Sequence, residues 1–177
     1  MSYLPPSEAA REKFHRTTGI RESTAPFEVS VVLLGRMIQE ALALLSLYSL
    51  DAIDGLLCDT TLNALQRFYV TSSVYKLCED VEIEAKNWAS PALFAALLEA
   101  VDAFRGKLRS LGYAVVKSTA KSEVDELRRQ IKHFQKAQGL KTTMVFDPAT
   151  LERITKLCAR TAATSALQPV ATTVAAL

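Results

Sequence analysis

The chain has 177 residues, 49% of them hydrophobic and 23% charged, a length that fits one domain, or one domain with tails. A chain of this size can bury a core without disulfide or metal staples. The 21 Lys and Arg against 19 Asp and Glu leave a net charge of +2, which demands no polyanionic partner, and six Gly with six Pro are too few for a many-stranded β fold.

Cys58, Cys78 and Cys158 are odd in number and widely spaced, with no CxxC pair, and His15 and His133 lie far apart. Neither a disulfide framework nor a metal site is expected from that pattern, and Cys58 reads as a small buried filler. The first residues show no basic start followed by an apolar run, so no secretory signal is expected. The most apolar stretch, Val29 to Leu50, carries Arg36, Gln39 and Glu40 at its middle, where a bilayer would be most hostile to them. It reads as a buried helix, and the protein as intracellular, cytoplasmic or nuclear, with no membrane contact.

In chain order, residues 1–27 read as a flexible arm containing a short helix around Ser7–His15, capped by Ser7. A helical domain is expected over 28–158 and a flexible tail over 159–177, which lacks large core-forming side chains. The first helix of the domain runs from about Glu28 to Tyr48, with Val31, Leu34, Ile38, Leu42 and Leu45 at helical spacing. Val32, Leu33, Met37, Ala41 and Leu44 widen that stripe until it nearly encircles the helix, which marks it as central in the core or covered by a partner. A second helix is expected over Thr60–Ser72, burying Leu62, Leu65 and Phe68, and a weaker third around Tyr75–Asn87. Ser90-Pro91 signals the start of a fourth that runs to about Leu111 and buries Leu93, Leu97, Val101, Phe104 and Leu108. The fifth, Ser122 to Gln138, lines up Val124, Leu127, Ile131 and Phe134 and ends at Gly139. The sixth has Asp147 as its cap and Pro148 in its first turn, and reaches about Cys158.

No acid, base and nucleophile stand at an informative spacing, and no glycine-rich phosphate loop is present, so no catalysis and no cofactor are expected. The stronger pattern is local. Asp54-Gly55 makes a tight turn, Asp59, Thr60 or Thr61 caps the helix after it, and Ala64, Leu65 and Phe68 face inward. Further on, Phe134-Gln135 and Gly139-Leu140 close one helix, and Asp147-Pro148-Ala149-Thr150 open the next.

Both stretches resemble the peptidoglycan-binding-like domain, a three-helix module. Its pattern is a helix ending in Leu-Gly-Tyr, an Asp-Gly turn, then Thr, Ala and Phe-Gln, then Gly-Leu and a late Asp-x-x-Thr. Leu44 to Tyr48, Asp54, Gly55, Thr61, Ala64 and Phe68 match the front half, with Cys58 in place of the second glycine and Tyr69 in place of the glutamine. Leu111-Gly112-Tyr113, Phe134-Gln135, Gly139-Leu140, Asp147 and Thr150 match a second time. There, Lys117 to Ser122 replaces the Asp-Gly turn and Met144 the late glycine. The resemblance implies an all-α helical bundle of two degenerate three-helix units, about 30–87 and 90–158.

Three functions follow as expectations. The first is a non-catalytic protein interaction or scaffold domain of a larger assembly, with a protein partner or a second copy meeting Leu33, Met37 and Leu44. The second is nucleic-acid binding through Arg129, Lys132 and Lys136, which lie with Arg128 opposite the apolar line of the fifth helix. The third is cell-wall glycan binding, which the resemblance implies but which is at odds with the missing export signal and the altered turns.

Overall fold

The computed structural model describes residues 6–18, 25–74, 90–115 and 121–166. The chain is all-helical among these residues: α1 (Glu8–Thr18), α2 (Phe27–Leu44), α3 (Asp59–Val74), α4 (Pro91–Ser110), α5 (Lys121–Ala137) and α6 (Pro148–Ala166), with a short 3-10 turn at Leu50–Ala52. It divides into two compact units, 1–101 and 102–177, and the boundary falls inside α4 rather than at the joint near residue 90 that the sequence suggests. The weak helix expected over Tyr75–Asn87 lies outside the described residues.

In the first unit, Ser7 caps α1 through its Oγ, which accepts from Ala10 N at 3.3 Å. The segment read as a loose arm is packed. Phe14 meets Phe27 edge-on with ring centroids 5.1 Å apart, and Arg11 lies 5.4 Å from the Phe27 ring centre. Arg11 also approaches Glu28 at 3.7 Å.

α2 is shorter than its apolar run. Its last turn closes with Leu47 N donating to Leu42 O at 2.8 Å, which needs a left-handed residue at Ser46 (φ 63°). Its two halves differ in burial. Ile38 and the run Ala41 to Leu45 are buried, whereas Val29, Val31, Val32 and Leu33 are 38–47% exposed. The second half is core, whereas in the first half the buried residues are Ser30 and Gly35 and the large apolar side chains stay exposed or half-buried. Leu44, expected at a partner surface, is 2% exposed and belongs to that core.

Against α2 lie α3, through Ala64, Leu65 and Phe68, and the turn that precedes it. The approach is close at two glycines. A Cβ on Gly35 would run into the Gly55 carbonyl oxygen, and one on Gly55 (φ 88°) would stand 2.6 Å from Val32 O. The expected cap of α3 is also corrected. Cys58 precedes the first helical residue and its carbonyl accepts from Leu62 N at 3.0 Å, while Thr61 is turned inward and fully buried. Cys58 is exposed, not a core filler.

In the second unit, α4 ends through Tyr113 N donating to Leu108 O at 3.1 Å, with Gly112 at φ 90°. α5 ends the same way, Leu140 N donating to Gln135 O at 2.8 Å, with Gly139 at φ 66°. Phe104, Leu108, Leu127, Ile131, Phe134, Phe146 and Ile154 form the core, and Tyr113 packs edge-on to Phe134 at 5.5 Å. α6 continues to Ala166, so the first residues of the predicted tail are helical.

Two expected outcomes follow from the backbone. Gly35→Ala forces overpacking against the Gly55 peptide and lowers stability by about 1–3 kcal/mol. Met144→Gly relieves a left-handed residue (φ 62°) and raises stability by about 0.5–1 kcal/mol. Urea unfolding of the three proteins measures both. An unchanged midpoint for Gly35→Ala contradicts the glycine contact.

Candidate functional site

The polar residues of the turns are engaged with one another. In α2, Gln39 sits fully buried beside Ile38. Its Oε1 accepts from Asp54 N at 3.0 Å and Gly55 N at 2.6 Å. Its amide nitrogen shares two protons among Asp54 Oδ1 (2.8 Å), Leu56 O (3.0 Å), Thr61 Oγ1 (3.2 Å) and Tyr48 Oη (3.3 Å). One carboxamide thus holds the turn between α2 and α3 from inside. Asp54 closes the ring by accepting from Leu56 N at 2.8 Å.

The second unit repeats the device between α5 and α6. Gln135 is fully buried beside Phe134. Its Oε1 accepts from Thr143 N at 3.0 Å and Met144 N at 2.9 Å. Its nitrogen reaches Thr143 Oγ1 (2.7 Å), Thr150 Oγ1 (2.9 Å) and Val145 O (3.1 Å). Asp147 accepts from Thr143 Oγ1 at 2.6 Å and caps α6 by accepting from Thr150 N at 2.8 Å. Gly55 and Met144 occupy the same left-handed place, and Thr61 and Thr150 the same buried one.

On α4 the matching position is Arg105, three residues before the carbonyl of Leu108 as Gln39 is before that of Leu42. Arg105 is 4% exposed; its Nη1 donates to Asp102 Oδ1 at 3.1 Å and its Nε has no acceptor. Sequence reasoning missed Gln39 and Arg105 as organising residues. The signal available was a carboxamide directly after a residue of the apolar line, Ile38-Gln39 as in Phe134-Gln135.

The candidate partner residues are dispersed. Leu33 is 42% exposed, Met37 is half-buried against a groove of the first unit, and Leu44 is core. On α5, Val124, Leu127, Ile131 and Phe134 are buried as expected. The basic residues are partly neutralised within the helix, because Arg129 lies 2.7 Å from Glu126 and Arg128 3.7 Å from Asp125. Lys132 is half-buried and Lys136 exposed.

His133 is exposed, and His15 packs against Phe14 and Phe27 in the first unit. The exposed Cys58 thiol is held below its ordinary value by the Thr61 N–H and then the Thr61 hydroxyl. Among the described residues no three His, Cys, Asp or Glu side chains cluster as metal ligands, and no helix is long and apolar enough to cross a membrane.

Among the described residues the exposed large apolar side chains are Val29, Val31, Val32, Leu33, Leu56, Leu57 and Val70, all in the first unit. Beside them is an apolar groove of about 550 Å³.

The model of the putative peptidoglycan binding domain matches residues 98–154. That stretch is a peptidoglycan-binding-like domain, and it is all-helical among its described residues, in accord with the match. Comparison of the chain with curated proteins and with solved structures finds no match.

The turns generate a pH dependence. Burial raises the Asp147 carboxyl, but the Thr143 hydroxyl, the Thr150 N–H and hydroxyl, and Lys141 outweigh it, leaving it below its ordinary value. Asp54 is lowered by the Gln39 amide and then the Leu56 N–H. A carboxyl lowered by folding adds stability above its unfolded value, about 3.9, that disappears as pH falls through the folded value. The denaturation midpoint should therefore drop below about pH 4. Asp147→Asn should flatten that drop, and an unaltered acid limb in the variant would contradict the assignment. Gln39→Leu, by contrast, should destabilise at every pH, since each stranded N–H costs about 1–3 kcal/mol.

Proposed function

We propose that this chain, which carries a peptidoglycan-binding-like domain over residues 98–154, is a non-catalytic protein-docking protein of an intracellular assembly. One observation carries the reading: the exposed large apolar residues of the described structure gather on the first unit, at the start of α2 and at Leu56-Leu57. Apolar surface left in water costs roughly 25 cal/mol per Å², so a cluster of this kind favours a covering partner. The turn polar groups support the same reading from the other side. Asp54 and Thr61 bond to Gln39, Thr143 and Thr150 bond to Gln135, and Asp147 accepts from Thr143 and Thr150, which suits joints better than a sugar site.

The two units also read as diverged copies of one module. Ile38 and Phe104, Gln39 and Arg105, Leu42 and Leu108, Ser46 and Gly112, Leu65 and Ile131, and Phe68 and Phe134 each stand 66 residues apart without a gap. All but Ser46 and Gly112 are buried, and those two are the left-handed residues that end their helices.

A second reading, peptidoglycan binding by residues 98–154, is favoured by the family match itself. Nucleic-acid binding draws less support, because two of the α5 arginines already face acids on their own helix.

Leu33→Glu and Leu56→Glu, both at exposed positions, should keep the thermal midpoint of the parent within about 2 °C and weaken retention of the native partner at least tenfold. In parallel, sedimentation with insoluble peptidoglycan should leave the protein in the supernatant. Co-sedimentation together with undisturbed partner retention by both variants would replace docking with glycan binding.

A further inference from the structure

The groove of the first unit has a specific form. On α4 its wall is Pro91, Phe94, Ala95 and Leu98, which is i, i+3, i+4 and i+7, one face over two turns. On α1 the wall is Ala10, Lys13 and Phe14, again i, i+3 and i+4, and on α2 it is Val31, Leu34 and Met37, with Leu57 joining from the turn. Three helices thus present helical stripes to a common volume of about 550 Å³. In a helical bundle such stripes normally meet another helix, whose own apolar stripe interleaves with them. Pro91 to Leu98 spans about 10 Å at 1.5 Å rise per residue, enough for two turns of a guest. Lys13 is the one charged residue of the lining, and among the described residues it makes no ion pair.

Building on the docking reading above, we propose that this groove receives an amphipathic helix of a partner protein, with two turns of apolar side chains and an acidic residue opposite Lys13. The charge argues against a second copy as the occupant. Of the exposed apolar residues that a second copy could offer, Leu56 and Leu57 lie in a turn, and the helical run Val29, Val31, Val32 and Leu33 has beside it one acid, Glu28, which already lies 3.7 Å from Arg11. A partner that supplies a carboxylate complements the charge of the exposed Lys13, and the apolar stripe supplies affinity, as in other helix-in-groove complexes.

The probe is a synthetic helix of about 14 residues with Leu at i, i+3, i+4 and i+7 and one Glu at its end, against the same composition with the leucines spread around the helix. Fluorescence anisotropy on the full chain should show at least tenfold tighter binding of the striped helix. Ala95→Trp, which projects into the groove, should remove most of that difference. Ala10→Trp, from another wall, serves the same purpose if the first variant fails to fold. Lys13→Glu should weaken the Glu helix and favour a Lys version of it.

Equal binding of the two helices, or binding indifferent to Lys13→Glu and to both tryptophans, overturns the proposal. So does a concentration-dependent doubling of mass that either tryptophan abolishes, since the occupant is then a second copy. Native-partner binding lost with Leu33→Glu but retained by the groove variants would also overturn it while leaving the docking reading intact. Loss in neither set removes both.

Discussion

Gln39 places a carboxamide in the middle of the most apolar helix of the chain, and the first unit is arranged around satisfying it. A buried carboxamide left without partners costs several kcal/mol, so the segment that supplies its partners is held against α2. That segment is the turn Asp54 to Leu56, whose backbone N–H groups and carbonyl meet the amide face to face. With the turn placed, Gly55 lies against Gly35, Thr61 points inward, and α3 starts at the distance that lets Ala64, Leu65 and Phe68 pack. The same placement leaves Leu56 and Leu57 beside the exposed start of α2. A polar constraint in the core thereby determines where the apolar surface ends up.

The second unit uses the same chemistry with different residues. Gln135 holds Thr143 and Met144, and Asp147 adds a charged acceptor where Cys58 stands in the first unit. A methionine at φ 62° shows that the carboxamide can hold a left-handed turn even without glycine. Arg105 shows a less complete outcome. It has the buried place of the carboxamide on α4, but its Nε lacks an acceptor. In both units the polar residues of the turns, the exposed Asp54 among them, are used to join helices.

Much of the scaffold was legible from local chemistry. Ser90 caps α4, Asp147 caps α6, and Gly112 and Gly139 end their helices in the left-handed conformation, as those residue types require. The inward faces of α4 and α5 followed from helical spacing. What was not legible depended on contacts between segments. The run Val29 to Leu50 gives no sign that only its second half is covered, because that is decided by where the Asp54 turn docks. Leu44 looks like Leu33 in sequence, yet it is buried where Leu33 is exposed. α1 is polar in composition, and its packing rests on Phe14 and Arg11 meeting Phe27. Cys58 was misplaced because Thr61, a better cap by type, is taken by Gln39.

The proposed function implies a division of labour: buried carboxamides and turns make the fold, and the apolar face left exposed on the first unit is kept for a partner. Hydrogen–deuterium exchange on the full chain, alone and within the complex purified through it, tests this most directly. The account predicts new protection over residues 27–37 and 55–58, with unchanged exchange over 141–151 and along α5. Protection that appears at 141–151 or on the basic side of α5, with 27–37 still exchanging as in the free chain, would contradict it.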